Sequence, residues 1–102
     1  MDYNINIYMP SELKLEIAKR AKKLRLQKKL KRTTFSVMSG VSVSSIKRFE
    51  TTGQVSFTSL LQIANTLEVL DDFGSLFKIE KPITLSELEK LENNSIPSRG
   101  RI

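Results

Sequence analysis

The chain has 102 residues, a formal net charge of +6 and neither cysteine nor histidine. This length supports one small domain, and a hydrophobic content of 39% is too high for a wholly disordered chain. Without histidine and cysteine, the chain lacks the commonest zinc ligands, a thiol nucleophile and the usual acid–base group at neutral pH. No paired carboxylates stand in a pocket-like context either. We therefore expect a protein that is not an enzyme and binds neither metal nor cofactor.

The sequence gives no signal for a membrane or an export address. No apolar run approaches the roughly 18 residues that a transmembrane helix needs, and no signal peptide is recognisable. A small domain without disulfide bridges fits a reducing compartment. The prediction is a cytoplasmic protein.

The charge is divided unevenly along the chain. Between Lys14 and Gly53, twelve Lys or Arg stand against two Glu, which gives a net charge of +10. Between Glu68 and Glu92, seven acids stand against three lysines, which gives −4. The basic half suggests a polyanionic partner and the acidic half a different surface; the alternative is a basic face that is merely solvated.

Residues 1–10 are predicted as an N-terminal arm. Positions 3–9 alternate between apolar and polar residues, which is typical of a strand, and Pro10 stops the pattern. No second strand of comparable quality follows. The arm therefore either pairs with its copy in another subunit of a homodimer or remains loose.

The first helix is expected to begin at Ser11, as its N-cap, and to run to about Lys28. Its core stripe recurs at helical spacing and consists of Leu13, Ile17, Ala21 and Leu24. A basic amphipathic helix can also lie on a membrane surface. Because the stripe is narrow and lacks Trp or Phe, packing inside a helical bundle is the preferred interpretation.

A helix-turn-helix unit follows. The first of its helices has Phe35 and Met38 facing inward and ends at Gly40, which suits the left-handed residue that closes a helix. The second covers residues 42–51 and begins with a serine suited to cap it. Two helices joined by a short turn that contains glycine are the connectivity of this unit.

The helix at 42–51 has an inward and an outward face. Ile46 and Phe49, three positions apart, share the inward one. The residues that point elsewhere are Val43, Ser44, Lys47 and Arg48. Small side chains let the backbone approach DNA, and the cations can reach guanine edges or phosphates from the major groove.

Two more helices are predicted before residue 78. Ser56 is expected to cap a fourth helix, and a short fifth helix is expected to begin at Asp71 or Asp72. The fourth helix has a core stripe of Leu60, Ile63, Ala64 and Leu67, and the fifth holds Phe73, Leu76 and Phe77.

Residues 78–102 are predicted as a C-terminal extension. Thr84 and Glu87 form a capping box in front of a short helix. The apolar residues of this helix are Leu85, Leu88 and Leu91, which either close the domain's own core or face a second subunit. The remaining residues, from 95 onwards, are expected to form a flexible basic tail.

Many positions between residues 17 and 77 match one pattern: Leu24-Arg25, Leu30, Arg32, Phe35, Gly40-Val41-Ser42, Ser45-Ile46, Glu50 and Leu60-Leu61-Ile63-Ala64-Leu67. This pattern resembles the Cro/lambda-repressor-type helix-turn-helix domain, also called the XRE family. The resemblance implies an all-α, five-helix lambda-repressor-like DNA-binding domain over residues 11–77. The strand-like arm then precedes it and the helical extension follows it.

The resemblance also implies a function and a site. The function is that of a dimeric regulator that represses its own operon, with the helix at 42–51 on an inverted repeat in double-stranded DNA. Base contacts are implied for Val43, Ser44, Lys47 and Arg48. Phosphate contacts are implied for Arg32, Thr33, Ser42, Thr52 and Gln54. Arg25 and Glu50 match a pair that the family uses as an internal salt bridge.

Three places depart from the family pattern. Lys31-Arg32 stands where Ser-Gln or Thr-Gln is usual, which weakens the capping of the second helix. Ser39 stands where leucine is more frequent, and Glu68 where glycine is. These differences concern local packing and the end of the fourth helix, not the fold.

A narrower resemblance covers Ser45 to Phe77, which is similar to regulators encoded beside HipA-like kinase toxins. It implies an alternative function, that of a HipB-type antitoxin. Such a protein also binds and neutralises the toxin, here through the acidic C-terminal half and the tail. The other interpretation is a repressor without a toxin partner.

Overall fold

The computed structural model describes residues 8–79 and 84–95. These residues form five α-helices and one 3₁₀ turn, and no β-strand. The all-α class predicted from the sequence is confirmed for this part of the chain. Most of the predicted arm (residues 1–7) and the predicted tail after Ser95 lie outside the described residues. The elements are α1 (Pro10–Gln27), α2 (Arg32–Ser39), α3 (Val43–Thr52), α4 (Phe57–Thr66), the 3₁₀ turn (Leu70–Phe73) and α5 (Leu85–Ser95).

Helix α1 begins before the predicted N-cap. The cap is Met9 rather than Ser11, and Pro10 is the first helical residue. Proline suits this position because its φ is already helical and it has no amide hydrogen that would lack a partner. The Met9 amide donates a hydrogen bond to Oε1 of Glu12 at 3.1 Å. The C-cap, Lys28, agrees with the predicted end of the helix.

The core lies among helices α1 to α4. Its buried apolar residues are Ala18, Phe35, Val41, Ile46, Phe49, Ile63, Ala64 and Leu67. Half-buried residues pack around them: Ile17, Ala21, Leu24, Leu30, Val55, Leu60 and Val69. The stripes predicted for α1 and α4 therefore face the core, except that Leu13 at the start of α1 is exposed.

Helix α2 presents a different inner face from the predicted one. Phe35 is buried, but Met38 is 56% exposed, so its prediction as an inward residue is wrong. Ser39 takes the inner position, and its Oγ accepts a hydrogen bond from the Val41 amide at 3.1 Å. This bond gives partners to two polar groups that burial would otherwise leave unpaired.

The prediction of a fifth helix that begins at Asp71 or Asp72 is wrong. The chain makes a 3₁₀ turn over Leu70–Phe73 and then continues in turns up to Phe77, whose φ is +62°. Gly74 interrupts a segment that is too short to nucleate a helix alone. Phe73 is half-buried, but Leu76 and Phe77 are 51% and 100% exposed, so only the start of this segment packs on the body.

Helix α5 is capped as predicted but is not packed. The Glu87 amide donates to Oγ1 of Thr84 at 3.1 Å, and the Thr84 amide donates to Oε1 of Glu87 at 2.9 Å. Every side chain from residue 84 to residue 93 is exposed. The leucines of α5 therefore do not close the core of the chain that carries them.

Candidate nucleic-acid interface

Helices α2 and α3 are joined by three residues, Gly40 to Ser42. Gly40 has φ +78°, and its amide donates to the Ser36 carbonyl at 2.9 Å, which closes α2. Val41 is buried and fixes the turn to the core. The Ser42 hydroxyl accepts from the Ser45 amide at 3.1 Å and caps α3. The connectivity is that of a helix-turn-helix unit.

Helix α3 separates its core residues from its polar ones. Ile46 is fully buried and Phe49 nearly so, and both face the core. The four residues predicted to contact bases are all exposed: Val43, Ser44, Lys47 and Arg48. Neither Lys47 nor Arg48 forms an ion pair with an acid of the described residues. The outer face of α3 thus presents small side chains followed by two cations that no acid of residues 8–79 and 84–95 neutralises.

A buried ion pair fixes the inner side of α3 to α1, as expected for Arg25 and Glu50. Nε and one terminal nitrogen of Arg25 donate to the two oxygens of Glu50 at 2.7 and 3.0 Å. The other terminal nitrogen of Arg25 donates to the Leu30 carbonyl at 2.7 Å. The two side chains are 5% and 3% exposed. This two-point geometry is the strongest that an arginine and a carboxylate can form.

Arg32 joins the same network, which the sequence did not indicate. Its Nε donates to Oε1 of Glu50 at 3.0 Å, and 32% of its side chain is exposed. Glu50 therefore accepts from two arginines that lie 25 and 18 residues away. Arg32, predicted as a phosphate contact, therefore has a structural partner within the protein. The sequence did not indicate this bond because spacing along the chain does not reveal such a long-range contact.

The other predicted phosphate contacts fall into two groups. The hydroxyls of Ser42 and Thr52 both serve the ends of α3: Ser42 caps it, while Thr52 donates to the Arg48 carbonyl at 2.7 Å and accepts from the Gln54 amide at 3.0 Å. Thr33 and the Gln54 side chain are exposed, and no hydrogen bond holds either side chain within the described residues. Of these four residues, only Thr33 and Gln54 have side-chain polar atoms that are not hydrogen-bonded within the described residues.

A polar notch lies where α3 meets the start of α4. It encloses about 280 Å³ and brings together Arg48, a predicted base contact, and Gln54, a predicted phosphate contact. The remaining lining residues are Ser45, Val55, Ser56 and Ser59. Ser45 and Ser59 were not among the predicted contacts: Ser45 entered only as part of the family pattern, and each lies in the first turn of a helix. The notch offers hydroxyl, amide and guanidinium groups on one surface.

Comparisons of the chain with protein-family models, with curated proteins and with solved structures gave no match. Within the described residues, no helix is long and apolar enough to cross a membrane. The same part of the chain holds no cluster of acids that is arranged to bind a metal ion. The functional interpretation therefore depends on the geometry of α2, α3 and their surroundings.

Proposed function

We propose that the protein is a sequence-specific DNA-binding regulator, in which α3 enters the major groove and a dimer represses the operon that encodes it. The observation that supports this most is the outer face of α3. It follows a tight glycine turn, begins with small side chains and carries Lys47 and Arg48, which pair with no acid in the part of the chain that the structure describes. Such a face suits direct reading of base edges.

The division of labour within α3 supports the same proposal. The buried ion pair of Arg25 and Glu50 holds α3 in place from its inner side, while Lys47 and Arg48 on its outer side form no ion pair with an acid of the described residues. A rigid helix presents base-reading side chains more accurately than a loop does. In this proposal α1 to α4 adopt the Cro/lambda-repressor-type arrangement, and the protein works in the cytoplasm.

Charge supplies the affinity in this mechanism. The net charge of +10 between Lys14 and Gly53 attracts the phosphate backbone, and each phosphate contact releases counterions. The base contacts of α3 then supply the specificity. Two copies of α3 must lie about 34 Å apart to reach successive major grooves of an inverted repeat.

The test is a fluorescence-anisotropy titration of the full chain on DNA from upstream of its own gene, with a scrambled duplex of equal length and two salt concentrations. We expect much tighter binding to the upstream DNA and a steep salt dependence on both duplexes. Equal, purely salt-driven binding to both duplexes would mean that α3 does not read bases at this locus. Absence of binding to both would overturn the proposal.

The alternative, an antitoxin that also neutralises a HipA-like kinase, depends on the acidic C-terminal half and the tail. Residues 96–102 lie outside the described part of the chain, and α5 is the described helix of that half. A kinase encoded next to this gene that co-purifies with the full chain would favour the antitoxin. The two functions are compatible, because α3 and α5 share no residue.

A further inference from the structure

Helix α1 crosses the C-terminal end of α3 at Lys14. A Cβ atom at Gly53, the C-cap of α3, would lie 2.9 Å from Cγ of Lys14 and 3.1 Å from the Lys14 carbonyl carbon and oxygen. The backbone of α1 therefore lies directly against the Gly53 turn, as only a residue without a side chain permits. The ammonium group of Lys14 is separated from that Cγ by only two methylene groups. The packing thus keeps one cation of α1 at the end of α3.

Lys14 differs in orientation from the other lysines of α1. Positions 14, 18, 21 and 25 recur at helical spacing and share one side of the helix. This side packs on α3, since Ala18 is fully buried and Arg25 bonds Glu50. At about 100° per residue, the remaining lysines lie about 80° to 180° around the helix from Lys14. They are Lys19, Lys22 and Lys23.

The surroundings of Lys14 suit an anionic partner. Its side chain is exposed, and it forms no ion pair with an acid of residues 8–79 and 84–95. Thr52 and Gln54, both predicted as phosphate contacts, stand immediately before and after the glycine against which Lys14 packs. A cation that no acid neutralises therefore lies beside two polar residues at the end of the outer face of α3.

We propose that Lys14 is a further contact to the phosphate backbone of double-stranded DNA, at the C-terminal end of α3. The inference rests on the proposed function, because it requires α3 to lie in the major groove. The C-terminal end of a helix in the groove can approach the backbone, and a lysine binds a phosphate there as a point charge. Lys14 precedes residues 17–77, which carry the family resemblance, so that resemblance does not assign it a role.

A purely structural role makes different predictions. A cation near the C-terminus of a helix interacts favourably with the helix dipole, so Lys14 would then stabilise α3 within the folded protein. Its removal would lower the free energy of unfolding and leave the salt dependence of DNA binding unchanged. A phosphate contact behaves in the opposite way, because its removal changes the number of counterions that binding releases.

The first test is the DNA affinity of Lys14→Gln, measured at several salt concentrations on the upstream and the scrambled duplex. Glutamine keeps methylene groups next to Gly53 and removes the charge. We expect both affinities to fall by roughly 3- to 10-fold for each bound copy at ~0.1 M salt, and the logarithmic salt slope to decrease by about 1. Lys14→Arg should restore both values. The matched control Lys23→Gln removes the same charge from the opposite side of α1 and should stay close to the parent chain.

The second test locates position 14 on the DNA without using the energy of the contact. Because the chain has no cysteine, Lys14→Cys and Lys23→Cys each provide one attachment point for an iron–EDTA cleavage reagent. With the reagent at position 14, the upstream duplex should be cut at the edge of the sequence that the bound protein protects. With the reagent at position 23, cleavage should be far weaker.

Several results would overturn the inference and leave the proposed function intact. One is a Lys14→Gln chain that keeps the salt slope of the parent chain, whether or not its free energy of unfolding falls. Another is a loss of affinity on the upstream duplex alone, which would make Lys14 a base contact. A third is equal DNA cleavage from positions 14 and 23. A parent chain that binds neither duplex would overturn the proposed function and this inference with it.

Discussion

The body formed by α1 to α4 and the C-terminal part differ in what covers their apolar side chains. In the body, Phe35, Ile46 and Ile63 are at most 2% exposed. In the C-terminal part, Phe77 is fully exposed and Leu85 is 73% exposed. Both parts have helical spacing and helices with side-chain N-caps, at Ser42 and Ser56 in the body and at Thr84 in the C-terminal part. The comparison teaches that local signals are enough to begin a helix, whereas stability requires a second surface.

Charged side chains show the same difference. The Glu50 side chain is 3% exposed and accepts from two arginines, while that of Glu68 is 79% exposed and pairs with Lys28 at 3.0 Å. Removing one partner of a buried ion pair leaves the other charge unpaired and lowers the free energy of unfolding by several kcal/mol. An exposed ion pair contributes little to that free energy. The contrast between the two regions can therefore be tested with single substitutions.

The largest effect is expected for Glu50→Ala. It leaves the buried Arg25 without its carboxylate, so the free energy of unfolding should fall by about 3–5 kcal/mol. The matched control Glu68→Ala removes an exposed pair and should cost about 0–1 kcal/mol. Urea unfolding followed by circular dichroism measures both. Similar small losses in the two variants would show that the network around Glu50 is not a structural necessity.

A second contrast compares two glycines. Gly53 has φ +81°, and a Cβ there would lie 2.9 Å from Cγ of Lys14 and 3.1 Å from the Lys14 backbone. Gly53→Ala should therefore lower the free energy of unfolding by about 2–3 kcal/mol. Gly74 has φ −67°, and a Cβ there would meet only the Asp71 carbonyl oxygen, at an ordinary contact distance of 3.5 Å, so Gly74→Ala should be neutral or slightly stabilising. Equal losses at both glycines would contradict the difference in packing.

Sequence reasoning succeeded where the cause is local. The caps at Ser42, Ser56 and Thr84 and the left-handed Gly40 depend on neighbours within a few residues, and each was predicted. The buried pair of Arg25 and Glu50 spans 25 positions and was predicted only through a family resemblance.

The predictions that failed depend on tertiary cover. The amphipathic pattern around Asp71 predicts a helix, but Leu76 is 51% exposed and Phe77 fully exposed, so the segment buries too little apolar surface to stabilise one. Met38 lies outside the core although its spacing from Phe35 is helical, because the neighbouring Ser39 has a hydrogen-bond partner inside. The bond between Arg32 and Glu50 likewise appears only when α2 and α3 are placed in space.

A third prediction concerns the exposed side of the body. Arg48 contacts no acid in the described residues, so Arg48→Ala should leave the free energy of unfolding unchanged. If Arg48 reads a base, binding to the upstream DNA should weaken by about 1–3 kcal/mol, with little change on the scrambled duplex. Lys22→Ala, on the exposed side of α1, is the control and should change neither the free energy of unfolding nor the binding to DNA. Equal weakening on both duplexes would reassign Arg48 to the phosphate backbone.

The smallest effect on overall stability is expected for Thr84→Ala, and the cap at Ser56 provides its matched control. In each case the hydroxyl accepts from the amide three residues later at 3.1 Å. Ser56→Ala should lower the free energy of unfolding by about 1 kcal/mol, since α4 belongs to the packed body.

Thr84→Ala removes a similar bond from α5, whose side chains are exposed in the single chain. At concentrations at which the chain is monomeric, it should leave the unfolding of the body unchanged and only accelerate hydrogen exchange in α5. Equal losses for the two cap variants in the monomer would instead mean that α5 already packs on the body of its own chain.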